Sequence, residues 1–116
     1  MPARDYLFGL DGSDQRKFAT LFQRMATEGR IFDEVKFRRE DDVNCRVVVQ
    51  GRQTERKVVL YAFKIDGHRL IAFQDGRAWL LTDGCAKLAD RKFKAQLDIA
   101  HHIACEHLGR FTLSFP

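Results

Sequence analysis

Cysteine is scarce in this chain of 116 residues, which has only Cys45, Cys85 and Cys105. An odd number at no framework spacing excludes a disulfide-built scaffold and reads as reduced thiols. Long apolar runs are missing, so no stretch approaches the length of a membrane span. The opening MPARDYLFGLDGSD carries charges where a secretory leader has an apolar stretch. These absences lead one to expect a cytoplasmic protein with no membrane partner. Internal repeats, linkers and low-complexity tracts are also absent, which leaves one domain over residues 1–116. No Gly-rich phosphate loop and no serine-nucleophile motif is found.

What is present reads as a soluble globular domain. Hydrophobic residues make up 45% of the chain and charged residues 31%. Ten phenylalanines supply large apolar groups for one core. The net charge of +4 permits an anionic partner without demanding one.

RDYLFGL, from Arg4, reads as a short strand ended by DGSD, with Asp11 or Ser13 as a cap for the next element. Residues 14–28 place Phe18, Leu21, Phe22 and Met25 at helical spacing, and Gly29 stops that helix. The segment from Arg30 to Asn44 is a short helix or an irregular strand. CRVVVQ and KVVLYAFKI are strand-like, with GRQTE as an exposed loop between them. Residues 90–108 form an amphipathic helix on Phe93, Leu97, Ala100, Ile103, Ala104 and Leu108. Asp90 is its cap and Gly109 its stop. The tail RFTLSFP alternates and reads as an edge strand.

Asp-Gly pairs punctuate the middle of the chain. A type I′ turn at Asp66-Gly67 pairs Ile65 with His68, Lys64 with Arg69 and Phe63 with Leu70. A second turn at Asp75-Gly76 sets Ala72 against Trp79, Arg69 against Thr82 and His68 against Asp83. The third pair, Asp83-Gly84, ends the meander. One face then carries Tyr61, Phe63, Leu70, Ala72, Trp79 and Leu81; the other carries Leu60, Ala62, Ile71, Phe73 and Leu80. Both faces are apolar in the middle, so both need cover.

Lys64, Arg69 and Thr82 gather at one end of this meander, with His68 beside Asp83 on the other face. Facing like charges cost about 0.2–1 kcal/mol in a sheet. A bound phosphate, a nearby carboxylate or solvent would offset that cost. HHIACEH places His101 and Cys105 one helical turn apart, but no second ligand group stands at a recognisable spacing elsewhere. The sequence therefore gives no metal site and no cofactor.

LYAFKIDGHRLIAFQDGRAWLLTDGCAKLADRKFKAQLDIAHHI resembles the core of the RelE/HigB-like toxins, in particular their phage-derived HigB-like branch. The matching motifs are Phe63-Lys64, His68-Arg69, the strand 78–82 and Gly84-Cys85-Ala86-Lys87. The resemblance implies an α+β fold, a small twisted antiparallel sheet with helices packed on one face. It implies an mRNA interferase, a metal-independent endoribonuclease whose substrate is mRNA, on or off the ribosome, with a cognate antitoxin as partner. Lys64, Arg69 and Lys87 then stabilise the phosphate, and His68 is the candidate base. Where the family has a tandem lysine and a Thr-Pro step, this chain has AKLADRKFKA. Arg91, Lys92 and Lys94 either replace that charge as nucleic-acid contacts or form a solvated helix face. No C-terminal catalytic tyrosine is present, and the acidic run at residues 40–42 brings carboxylates near the sheet. The alternative is an inert protein of the same fold that inhibits gyrase or a host defence complex by binding. A third reading is a nucleic-acid-binding module without chemistry.

Overall fold

The computed structural model of the chain describes residues 2–31, 36–86 and 90–113. Two helices, α1 (Pro2–Phe8) and α2 (Gly12–Glu28), precede four strands. These are β1 (Phe37–Val49), β2 (Arg52–Ile65), β3 (His68–Asp75) and β4 (Ala78–Ala86). Helix α3 (Asp90–Leu113) follows. The strands pair antiparallel in the order β1-β2-β3-β4. This is the α+β class with an antiparallel sheet that the sequence leads one to expect.

Helix α2 is bounded as its sequence dictates. The Asp11 side chain accepts from the Asp14 N–H at 2.8 Å, and Gly29, at φ 74°, closes the other end on the Met25 carbonyl. Phe18, Leu21 and Met25 are buried against Phe63, Ile65, Leu70 and Ala72. The segment RDYLFGL is helical, not a strand. Pro2 suits a first helical turn, and buried Ala3 recurs at helical spacing with Tyr6, Leu7 and Leu10, which pack against the same cluster. That period outweighs the short alternation of Tyr6, Phe8 and Leu10.

Helix α3 covers the opposite face, so the helices flank both sides of the sheet. Phe93, Leu97, Ala100, Ala104 and Leu108 pack on Val47, Val58, Leu60, Ile71 and Phe73. The division follows from the apolar centre of each face, since burying a large side chain contributes about 1.5–3 kcal/mol. α3 also continues through Gly109 to Leu113, so the described part of the expected edge strand, residues 110–113, is helical.

The first Asp-Gly hairpin forms as expected, with Asp66 and Gly67 both at positive φ and Lys64 opposite Arg69. The second differs. Gly76, at φ 61°, is the first of the two central residues, so Gly76-Arg77 is the loop and Asp75 pairs with Ala78. A Gly in that position defines a type II′ turn, and the pairing slips by two residues. A two-residue slip conserves the faces, which is why the apolar sets are those expected. A bulge between Ile71 and Ala72 shifts the register again. His68 therefore pairs with Ala86, Arg69 with Cys85 and Ile71 with Asp83. Asp83-Gly84 is not a turn; it lies inside β4, and Gly84 leaves room for the Tyr6 ring, which a Cβ there would meet at 2.4 Å. The exposed loop expected at GRQTE is a two-residue turn at Gln50-Gly51, and Arg52 onward is already β2.

The cysteines also differ from expectation. Cys45 on β1 and Cys105 on α3 form a disulfide, with Cα atoms 5.1 Å apart. Cys85 is a buried free thiol. Sixty residues separate the bridged pair, and only the docking of α3 on β1 brings them together.

Candidate functional site

The end of the β2–β3 hairpin opens onto a cleft of about 910 Å³. Six cationic side chains line it: Lys17 and Arg24 from α2, Lys36 and Arg38 before and within β1, Lys64 and Arg69 from the hairpin. Asp66 is the single carboxylate among the lining residues, and His68 completes the rim. Such a concentration of one sign around a concave surface attracts anions.

The pairing of Lys64 with Arg69 places both on the α3 side of the sheet. Neither is left bare. Lys64 Nζ stands 4.0 Å from a carboxylate oxygen of Glu40, the residue that the β1 bulge between Arg39 and Asp41 leaves out of register. The Arg69 guanidinium carbon lies 4.4 Å from the Phe93 ring centroid, a cation–π contact. The carboxylate near Lys64 is thus Glu40, from the acidic run flagged in the sequence, and not Asp83.

Asp83 is elsewhere. It is 1% exposed on the α3 face, bonded to Thr82 Oγ1 at 2.6 Å and to Gln96. Burial pushes its carboxyl above the ordinary value, against the pull of those two hydrogen bonds. The expected His68–Asp83 pair does not form, because the turn slip and the bulge carry Asp83 past His68.

His68 instead faces α1 and α2. Tyr6 Oη lies 2.6 Å from His68 Nδ1, and Asp14 Oδ2 lies 3.6 Å from Nε2. Burial, then the neighbouring Cys85 and Asp14, push the Tyr6 phenol above its ordinary value, so it keeps its proton. One hydrogen is shared between phenol and Nδ1, and whichever tautomer holds, Nε2 is the nitrogen turned toward the carboxylate. Lys17 pairs with Asp66 across the hairpin tip at 2.5 Å.

Lys64, Arg69 and His68 therefore meet at one cleft, although Lys64 and Arg69 rise from one face of the sheet and His68 from the other. Lys87 lies outside the described residues. Lys92 and Lys94 are exposed on the first turns of α3 and do not line the cleft. Arg91 shares that turn. Sequence reasoning missed Lys17, Arg24, Lys36 and Arg38 as cleft residues, and Tyr6 and Asp14 as partners of His68. Only the packing of α1 and α2 on the sheet and the pairing of β1 with β2 identify them. Compared with known proteins, the chain matches no family model, no curated protein and no solved structure. No described helix is long and apolar enough to cross a membrane.

Proposed function

We propose that the protein is a metal-independent endoribonuclease of the toxin type, acting on mRNA in the cytoplasm and held in check by a cognate antitoxin. The observation that carries this reading is the cleft, with six cations and His68 around a single lining carboxylate. A single-stranded phosphate backbone fits that charge better than a small neutral substrate. The resemblance of Phe63-Lys64 and His68-Arg69 to toxin motifs supports RNA as the polyanion.

In this reading the ribose 2′-OH loses its proton and attacks the adjacent phosphorus. The P–O5′ bond breaks, leaving a 2′,3′-cyclic phosphate and a 5′-OH. Lys64 and Arg69 offset the charge that builds on the phosphoryl oxygens. His68 moves protons through Nε2, with Nδ1 held by Tyr6.

The test is an RNA cleavage and binding assay on the native chain and on Lys64→Ala/Arg69→Ala, with and without ribosomes and with a chelator present. We expect cyclic-phosphate products from the native chain and a loss of about a hundredfold or more in the variant. RNA binding should weaken with salt, with a log–log slope of about 0.7 per phosphate contacted. Binding without cleavage would reassign the cleft to a nucleic-acid-binding module. A folded chain that neither binds nor cleaves RNA would overturn the proposal and favour a protein target.

A further inference from the structure

The strongest unassigned cluster lies away from the cleft, where α3 crosses β1. Cys45, His101 and Cys105 each offer a ligand atom there, all within 4.8 Å of one another. His101 and Cys105 are one helical turn apart on α3, and β1 supplies the second ligand group that the sequence alone does not reveal. Cys45 is fully buried and the other two are half-buried, so the cluster is open to solvent on one side. None of the three lines the basic cleft.

We propose that these residues form a site for a thiolate-seeking divalent cation, Zn²⁺ by its chemistry, in the reduced protein, and that the Cys45–Cys105 disulfide is the oxidised state of the same site. Two thiolates and an imidazole select zinc over magnesium or calcium. Zinc–sulfur bonds of about 2.3 Å at a tetrahedral angle hold two sulfurs about 3.8 Å apart. The Cα separation of 5.1 Å accommodates that once the S–S bond is open. His101 Nε2 lies 3.0 Å from the Asn44 carbonyl. With Nε2–H donating there, Nδ1 carries the lone pair a metal needs, and the carbonyl fixes the ring as outer-shell partners of metal-bound histidines do. Water fills the fourth position.

The exchange balances with a dithiol reductant. Two electrons enter the S–S bond and break it, the reductant closes into its own disulfide, and its two protons pass to Cys45 and Cys105. Zinc then displaces both thiol protons to solvent. Either state ties α3 to β1, one covalently and one through the metal. In a cytoplasm kept reducing by thiols, the metal-bound state is the one that persists.

The test uses the full chain, oxidised or reduced with the reductant removed, titrated anaerobically with Co²⁺ and then Zn²⁺. The reduced chain should take one Co²⁺, with the thiolate-to-cobalt charge-transfer band and the visible bands of a tetrahedral site, and Zn²⁺ should displace it. The oxidised chain should take none. Cys85→Ser should leave the titration unchanged, and Cys105→Ser should abolish the charge-transfer band. His101→Ala, at a half-buried helix position that keeps the fold, should weaken binding at least about tenfold. Mild oxidation should release the metal as two thiols disappear. A reduced native chain that binds no Co²⁺ would overturn the proposal, as would binding indifferent to Cys105→Ser and His101→Ala.

Discussion

The two faces of the sheet are covered by different means. On the α1/α2 side the sheet itself is aromatic: Phe37, Tyr61, Phe63 and Trp79 form one cluster, joined by Phe22 of α2, with ring centroids 4.9–6.3 Å from one another where they touch. Side-chain burial there is apolar throughout. On the α3 face the helix presents small residues, Ala100 and Ala104, beside Leu97 and Leu108. That face carries the buried Thr82 and Asp83, the Glu40 carboxylate and the disulfide. The first interface is filled mainly by area and shape, with the Tyr6–His68–Asp14 contacts and the Lys17–Asp66 pair at its edge. A helix seated on small side chains buries less per contact, and this one is fastened by a covalent tie and by hydrogen bonds.

Truncating the centre of the aromatic face should have the largest effect. Phe63 is 1% exposed and touches three other aromatic rings. Phe63→Ala should cost about 3–5 kcal/mol in chemical denaturation. If it cost no more than Leu60→Ala on the other face, the contrast between the faces would collapse.

Opening the Cys45–Cys105 bridge comes next. It closes a loop of 60 residues, and reduction in the presence of a metal chelator should lower stability by about 2–4 kcal/mol. Loss of protection should concentrate in α3 amides in hydrogen exchange. Uniform loss across α2 as well would show that the faces unfold as one.

The smallest effect is the titration of Asp83. Its carboxyl is raised in the folded state, so the unfolded chain gives up that proton first. Burial disfavours the charged form more than the hydrogen bonds from Thr82 Oγ1 and Gln96 favour it. Stability from this group is therefore greatest at acid pH. It declines as pH rises through the unfolded carboxylate range, and the decline ends above the folded value. Asp83→Asn removes the titration and keeps a polar group of the same shape at the site. We expect the variant to match the native chain at acid pH and exceed it at neutral pH, in denaturation at each pH. A native chain that gains stability relative to the variant with rising pH would refute the upward shift of the Asp83 carboxyl.

Much of the frame was legible in the amino-acid order, because its causes are local. Helix α2 follows from Asp11, a period of three to four and Gly29. The facing of Lys64 and Arg69 follows from the positive φ that Asp66-Gly67 accepts. Alternation along β2, β3 and β4 sorted the apolar residues onto their faces, and that sorting survived a misplaced second turn because the slip was even. RDYLFGL shows the limit of a short pattern: helix and strand periods both fit it, and packing against Gly84 selects the helix.

Contacts across the fold were decided only by the tertiary structure. The pairing of Cys45 with Cys105 needs α3 to land on β1. The approach of Glu40 to Lys64 depends on a bulge, and the removal of Asp83 from His68 on a turn slip followed by a second bulge, whose extra residue no periodic reading locates. The ring of Tyr6, His68 and Asp14 joins three elements that share no local signal. Periodicity and turn chemistry act within a few residues, so the sequence reveals them directly. A side chain's partner 50 or 60 positions away depends on where whole elements dock, and that is set by the two cores together.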